Sequence, residues 1–149
     1  FTELVISTSK EILDKLKFQP MTENNSVRHK TAFTVSVDYI PGTTTGISSS
    51  DRTKTIKAMT LENVNPSDFQ KPGHVFPLCS KVGGLKVRRG HTEASVELMK
   101  LAGLKPIAVI SELLNDDGST MCGNNLEIFS KKYNLQKTSV KEIYDYIYN

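Results

Sequence analysis

The sequence contains no tryptophan, two cysteines and no long apolar stretch. Cys79 and Cys122 lack the CxxC spacing of zinc and redox motifs, so free thiols in a reducing compartment are favoured over a disulfide, and we expect a cytoplasmic location. No apolar run approaches the ~20 residues that a membrane-spanning helix requires. The N-terminal stretch is polar by Ser7, which argues against a signal peptide.

A strong excess of one charge is also lacking. The chain has 19 Lys and Arg against 16 Asp and Glu, a net charge of +3, and its basic residues are scattered. This pattern does not indicate a nucleic-acid-binding surface or a membrane-binding one. A small positive balance does suit a small anionic substrate. We therefore expect a small-molecule ligand rather than a nucleic acid or a membrane.

The patterns that are present predict one α/β domain over all 149 residues. The predicted strands are Thr2–Ile6, Ala32–Tyr39, His74–Leu78 and Pro106–Leu114. Ala32–Tyr39 alternates, so it should be half-buried, with its apolar face inside and Thr34, Ser36 and Asp38 on the other face. The apolar Pro106–Leu114 should be buried on both faces. Five helices are predicted. The first follows a capping box at Thr8 and Glu11, and the second begins near Arg52. The other three span Thr92–Leu101, Asn125–Tyr133 and Ser139–Tyr148. The first residue is Phe1 rather than methionine, which suggests a fragment or a processed chain.

The Thr43–Arg52 loop is the first candidate site. It is rich in small hydroxyl residues and glycine, and it leads into a predicted helix. Backbone amides near glycine and a helix N-terminus suit a phosphate group. A Ser/Thr-rich surface turn that caps the helix is the alternative, because no Walker or Rossmann fingerprint is present.

Two further candidates contain histidine. His74 follows a Pro-Gly turn and could act as a general base, although a lone histidine there is often structural. The Arg88–Ala94 segment is the densest cluster, with Arg88 and Arg89 able to clamp a phosphate and His91 able to bind a metal or move a proton. A capped helix with flanking surface charge is the alternative there.

Glu112 lies within the apolar Pro106–Leu114 stretch. A carboxylate inside a buried strand must be paired, protonated or functional, and it would suit acid–base chemistry. At a sheet edge, the same carboxylate would simply be solvated. Taken alone, these features predict an anionic phosphorylated ligand and proton transfer by His and Glu, with a divalent metal as a further option.

Six motifs in order resemble those of 3,4-dihydroxy-2-butanone 4-phosphate synthases. They occupy residues 42–48, 50–52, 71–78, 88–94, 101–106 and 112–118. The resemblance implies a three-layer α/β fold, in which a mixed twisted sheet has helices on both faces. It also implies conversion of D-ribulose 5-phosphate to L-3,4-dihydroxy-2-butanone 4-phosphate and formate, a step of riboflavin biosynthesis that uses Mg²⁺ or Mn²⁺.

The resemblance also implies roles for particular residues. His74 and Glu112 match catalytic positions, and Glu112 also matches a substrate contact. His91 matches a metal ligand. The remaining substrate-binding positions implied by the resemblance are Arg88, Gly90, Thr92, Thr44 and Thr45. Arg89 stands where many members have glycine, so we expect it to be a neighbour rather than a participant.

One departure from the family pattern affects the expected activity. Family members begin with a further acidic segment that supplies another metal-binding carboxylate, and the sequence contains nothing like it. The chain therefore resembles the C-terminal two-thirds of a synthase. We expect either a homodimeric enzyme with its active site at the subunit interface or a non-catalytic remnant that binds a sugar phosphate. A protein-interaction module has no apolar stripe or charge block to support it.

Overall fold

The computed structural model describes residues 4–149, so Thr2 and Glu3 of the predicted first strand lie outside the described residues. The strands are β1 (Val5–Thr8), β2 (Ala32–Phe33), β3 (Val37–Tyr39), β4 (Phe69–Cys79) and β5 (Ile107–Ile110). The helices are α1 (Lys10–Lys15), α2 (Ser49–Ala58), α3 (His91–Leu101), α4 (Asn124–Lys132) and α5 (Val140–Tyr148). Short 3-10 turns occupy Pro66–Asp68 and Gly84–Lys86.

The strands form one mixed sheet in the order β2-β4-β1-β5, with β3 also paired to β4. β1 lies parallel to β4, with Val5 level with Phe76, and antiparallel to β5, with Val5 level with Ile110. β2 and β3 both lie antiparallel to β4. The long β4 is therefore the centre of the sheet, and residues at its two ends reach different parts of the molecule.

Helices cover both faces of this sheet, as the resemblance implies. On one face, Ile6 and Val75 pack with Leu13 of α1 and Ala58 of α2 in the main apolar core. α3 packs against β1 and β5 on the other side, and a smaller core joins Leu85 and α3 to α5. Most of the buried apolar side chains of the strands belong to the main core, whereas the smaller core is built from the Gly84–Lys86 turn, α3 and α5.

The predicted Ala32–Tyr39 strand is interrupted in the structure. β2 and β3 flank a break at residues 34–36, and the polar side chains Thr34, Ser36 and Asp38 are buried together with Val37. The prediction that only the apolar face would be buried is therefore wrong. The polar atoms find partners on β4: the Thr34 hydroxyl donates to the carbonyl of Pro77, and Ser36 Oγ accepts from the Gly73 amide.

The predicted Pro106–Leu114 strand is wrong in length and burial. β5 ends at Ile110, pairs with β1 alone among the described strands, and leaves Val109 49% exposed. Apolar composition suggested burial on both faces, but β5 lies antiparallel to β1, and antiparallel strands commonly have one face in contact with solvent. β4 is instead longer than predicted, because it begins at Phe69.

The helix-start predictions have mixed outcomes. The capping box of α5 is confirmed, since Ser139 and Glu142 bond reciprocally. The one at Thr8 is wrong: Ser9 precedes α1, and its side chain makes no capping bond. α3 begins at His91, one residue before its predicted start. No helix among residues 4–149 has the length and apolarity to cross a lipid bilayer.

Candidate active site

Asp38 and His74 form a hydrogen-bonded pair between β3 and β4. Asp38 is fully buried, and its Oδ2 lies 2.7 Å from His74 Nδ1. Its other oxygen, Oδ1, accepts the backbone N–H of His74 at 2.9 Å. Gln70 Nε2 donates to the same carboxylate at 3.4 Å. Three donors from β4 therefore satisfy a carboxylate that would otherwise be costly to bury.

This pair has the geometry of an oriented general base. An ionised carboxylate only accepts hydrogen bonds, so the proton of the neutral imidazole is on Nδ1 and Nε2 carries the free lone pair. The His74 side chain is 41% exposed although its partner is buried. A base of this kind can take a proton from a bound ligand while the buried partner holds the ring in place.

The Thr43–Arg52 loop lies directly against this pair. Gly46 has φ of +87°, and a Cβ atom there would lie 2.0 Å from Asp38 Oδ2. Only glycine combines this backbone conformation with so close an approach. Two candidate sites of the sequence, the loop and His74, are thus brought together through Asp38.

Three of the loop's hydrogen-bond donors are already engaged by Asp51. Asp51 Oδ2 accepts the backbone N–H groups of Thr44 and Gly46 at 3.1 and 3.2 Å and the Thr44 hydroxyl at 2.7 Å. Ser48 in turn caps α2 by accepting from the Asp51 amide. The carboxylate occupies the donors predicted for a phosphate, which favours the alternative of a self-satisfied capping turn. Thr45 is exposed beside them.

The contacts of Asp51 make the stability of the fold depend on pH. Hydrogen bonds from the Thr44 hydroxyl, and then from the backbone amides of Thr44 and Gly46, hold the pKa of Asp51 below its ordinary value. Because the pKa of Asp51 is lower in the folded state than in the unfolded state, its ionised carboxylate stabilises the fold at pH values above the unfolded-state pKa. This stabilisation is lost as the pH falls through the folded-state pKa. Asp51→Asn is therefore expected to lower the melting temperature at pH 7, with the difference from the unmodified protein shrinking below about pH 4.

Thermal melts between pH 3 and pH 8 measure this effect. Asp14→Asn is the matched control, because Asp14 is 63% exposed in a surface pair with Lys10 and should change the melting temperature little. An Asp51→Asn melting temperature equal to that of the unmodified protein at pH 7 would contradict the locking role of Asp51.

The Arg88–Thr92 segment forms a second cluster just beyond the end of β4. Arg88 Nη1 lies 2.5 Å from Oε2 of the buried Glu93. Arg89 takes a different direction and stacks on the ring of Tyr144 in α5, with its guanidinium carbon 3.9 Å from the ring centre. The two arginines therefore do not form the clamp that their adjacency suggested, and Arg89 contacts α5 instead.

The N-terminus of α3 completes this cluster. Gly90 precedes the helix without a side-chain cap, so within residues 4–149 no side chain caps the first amides, those of His91 and Thr92. Thr92 is buried and His91 is exposed. Uncapped amides beside an arginine are suited to an anion such as phosphate.

His91 alone does not make a magnesium site. Among residues 4–149, no group of three His, Cys, Asp or Glu side chains is placed to hold a metal ion. The nearest carboxylate on α3, Glu93, is occupied by Arg88 and by the Lys81 amide. Mg²⁺ prefers several oxygen ligands, so the described residues do not fit this ion by themselves.

Glu112 is exposed and lies two residues beyond the end of β5. Its solvated position agrees with the edge alternative rather than with a buried carboxylate. Val5 of β1 is paired with Phe76 of β4 on one side and with Ile110 of β5 on the other, and β5 runs in the opposite direction to β4. The chain beyond Ile110 therefore continues towards the end of the sheet where His74 lies.

The candidate residues thus form two half-sites. His74, Asp38 and the Thr43–Asp51 loop lie together, and Glu112 is at the same end of the sheet. Arg88 lies beyond the other end, where it also contacts the carbonyl of His29. Cys79 is five positions after His74 along β4, a distance of about 16 Å at ~3.3 Å per residue. Within one chain, the described structure does not bring the two half-sites together.

Two important residues were missed from the sequence. Asp38 was assigned to the solvent face of a strand, and Glu93 was quoted only as part of a motif. The signals were present: an aspartate follows Val37 in a strand next to a Gly-rich loop, and a glutamate lies five residues after Arg88. Neither signal reveals its partner, because the partners meet only in the folded chain.

Comparison with known proteins agrees with the motifs. The family model of 3,4-dihydroxy-2-butanone 4-phosphate synthase matches residues 3–146. A protein of that name from Agrobacterium fabrum is 48% identical over 137 residues, which cover 92% of this chain and 64% of the relative. The riboflavin biosynthesis protein RibBA of Staphylococcus epidermidis is 46% identical over 134 residues, which cover 90% of this chain and 34% of that protein. The chain therefore spans less than two thirds of the length of either relative.

Solved structures give the same result. A crystal structure of the synthase of Candida albicans superposes with a TM-score of 0.90 at 40% identity, covering 99% of this chain and 72% of that one. A synthase crystallised with two magnesium ions gives 0.92 at 36% identity, with 97% and 73% covered. The chain belongs to the 3,4-dihydroxy-2-butanone 4-phosphate synthase family.

Proposed function

We propose that this protein converts D-ribulose 5-phosphate to L-3,4-dihydroxy-2-butanone 4-phosphate and formate in riboflavin biosynthesis. The observation that carries the proposal is the Asp38–His74 pair, an oriented base whose imidazole is accessible while its carboxylate partner is buried. The reaction begins with enolisation, which needs a base that takes a proton next to a carbonyl group. Family membership supplies the reaction class. The complete activity is a proposal, because the chain spans only part of the length of its relatives.

The roles of the residues follow from the two half-sites. His74 Nε2 accepts the proton released in enolisation, and Asp38 stabilises the imidazolium that forms. Glu112 contacts the substrate and moves protons in the later loss of water. Arg88, the backbone at Gly90 and the uncapped amide of Thr92 hold the phosphate, which anchors the sugar during the rearrangement. Thr44 and Thr45 lie on the loop beside His74 and line the sugar end of the site.

A homodimer with its active sites at the subunit interface would join the two half-sites. Ribulose 5-phosphate is shorter than the ~16 Å of strand that separates His74 from Cys79. If the same substrate contacts both half-sites, they must come from different subunits. We further propose that the protein is cytoplasmic and has no nucleic-acid or membrane partner.

We propose Mg²⁺ or Mn²⁺ as the cofactor, with His91 as one ligand. A related structure contains two magnesium ions, which supports a divalent metal in this family. Such an ion would stabilise negative charge on the substrate oxygens. The described residues lack the oxygen ligands that it needs, so we assign no step of the mechanism to it.

Formate release from ribulose 5-phosphate with Mg²⁺ tests this function. We expect turnover that is proportional to protein concentration and abolished by a chelator. Formate formation at the rate of a protein-free control would contradict the proposal.

A non-catalytic sugar-phosphate-binding remnant is the alternative. The lack of a three-residue metal cluster in the described part of the chain favours it. Binding of ribulose 5-phosphate without formate release would support this alternative.

A further inference from the structure

We propose that Glu93 is a positioning residue for the phosphate half-site, because it fixes the guanidinium of Arg88 and joins the start of α3 to the end of β4. The inference rests on the proposed function, in which Arg88 contacts the phosphate. It assigns to Glu93 an effect on phosphate affinity that is exerted through Arg88.

Glu93 is a buried carboxylate with both oxygens occupied. Its side chain is 1% exposed, Oε2 lies 2.5 Å from Arg88 Nη1, and Oε1 accepts the backbone N–H of Lys81 at 3.0 Å. Charged groups are seldom buried so fully unless they are paired. These two bonds connect Glu93 of α3 to Arg88, which precedes the helix, and to Lys81, which lies two residues after the end of β4. Glu93 is therefore the link between these parts of the half-site.

The guanidinium of Arg88 is held from three sides. Besides Glu93, its Nε donates to the carbonyl of His29 at 3.2 Å and its Nη2 donates to Thr31 Oγ1 at 3.3 Å. An arginine side chain has five N–H donors, so these contacts leave one N–H on each terminal nitrogen. Two remaining donors in a fixed plane suit bidentate binding of a phosphate. The ion pair with Glu93 is the strongest of the three restraints, because both partners are charged.

Gly90 is adapted to this ion pair. A Cβ atom at residue 90 would lie 2.4 Å from Arg88 Nη1 and 2.8 Å from Glu93 Oε2. Any larger residue would push the two side chains apart. The Gly between the arginines and His91 therefore serves the Arg88–Glu93 contact in addition to exposing the amides of α3.

Two physical accounts of Glu93 predict opposite results. If Glu93 acts only as a counter-ion, removing its charge leaves Arg88 with more positive potential and phosphate binds more tightly. If Glu93 positions Arg88, removing its charge releases the guanidinium, and phosphate binds more weakly because the ligand must order it. The sign of the change in affinity decides between them.

Titration of the whole chain with inorganic phosphate by isothermal calorimetry measures this sign without requiring turnover. We expect Glu93→Gln, which keeps an oxygen for the Lys81 amide, to raise the phosphate Kd about tenfold. Glu93→Asp keeps the charge on a shorter side chain and should recover part of the affinity. The matched control is Glu97→Gln, one turn later on α3, where Glu97 pairs with the exposed Lys100. This control should leave the Kd unchanged.

A second readout follows Arg88 itself. The NMR signal of the Arg88 Nε–H group should be sharp and slow to exchange in the unmodified protein and in Glu97→Gln, and broadened in Glu93→Gln. Unchanged or tighter phosphate binding by Glu93→Gln, with binding lost in Arg88→Ala, would overturn the positioning role and leave the phosphate site intact. No phosphate binding by the unmodified chain would remove the site itself and the proposed function with it.

Discussion

His74→Ala is expected to lower the rate of formate release from ribulose 5-phosphate by about 10²–10⁴-fold, the usual contribution of a general base. His74 is the accessible end of a pair whose other member is buried and satisfied by three donors of β4. Removing the imidazole removes the base and leaves the substrate-binding groups of the other half-site in place. The loss should therefore appear in kcat, with KM nearly unchanged.

Asp38→Asn tests the same pair from its buried side. An amide can offer its NH₂ group to the ring, which favours a proton on Nε2 and removes the free lone pair from the reactive side. We expect a kcat loss that approaches that of His74→Ala. The matched control is His29→Ala, because His29 is exposed and contributes its backbone carbonyl to Arg88. Equal activity of the His74→Ala and His29→Ala proteins would contradict a catalytic role for His74.

Arg88→Ala is expected to cost about 3 kcal/mol of folding free energy at pH 7, because it leaves Glu93 buried without its charge partner. The Glu93 side chain is 1% exposed, and within residues 4–149 the Lys81 amide would be its remaining hydrogen-bond partner. Arg88 also holds the carbonyl of His29, so the segment before β2 should loosen as well. Urea denaturation followed by circular dichroism measures the loss.

The double variant Arg88→Ala/Glu93→Gln separates the charge effect from lost packing. Replacing the unpaired carboxylate by a neutral amide should recover a large part of the stability lost in Arg88→Ala. Arg89→Ala is the control, since Arg89 only stacks on Tyr144 and should cost about 1 kcal/mol or less. A double variant that is less stable than Arg88→Ala would contradict the account of a buried unpaired charge.

Local patterns predicted the helices well, because their signals lie within a few residues of each other. The capping box of Ser139 and Glu142 closes over three residues, and α3 follows from the apolar spacing after His91. The ordered motifs likewise identified the family. Such features depend on neighbours in sequence, so the sequence alone could determine them.

Burial of the strands was predicted poorly, because it depends on which strands become neighbours. Asp38 alternates with apolar residues and was assigned to solvent, yet it is buried because His74 and Gln70 of β4 satisfy it from more than 30 residues away. The apolar β5 was assigned to the interior, yet it lies beside β1 alone among the described strands. Pairing order is a property of the whole fold.

The candidate phosphate sites show the same limit. The Thr43–Arg52 loop and the Arg88–Thr92 segment both carry donors suited to an anion. In the folded chain, Asp51 occupies the donors of the first, whereas the amides at the start of α3 have no side-chain cap. Sequence spacing could not distinguish the filled site from the open one. The two sites are distinguished by side-chain contacts that form only when the chain folds.

We propose that one active site uses His74 of one subunit and Arg88 of the other. Coexpression of differently tagged His74→Ala and Arg88→Ala chains, followed by purification of the mixed dimers and measurement of formate release, tests it most directly. Each chain alone should be inactive. A mixed dimer has one doubly altered site and one intact site, so we predict about half of the unmodified activity per dimer. A mixed dimer as inactive as either parent, beside an active unmodified dimer, would show that both residues act within one subunit and would contradict the account.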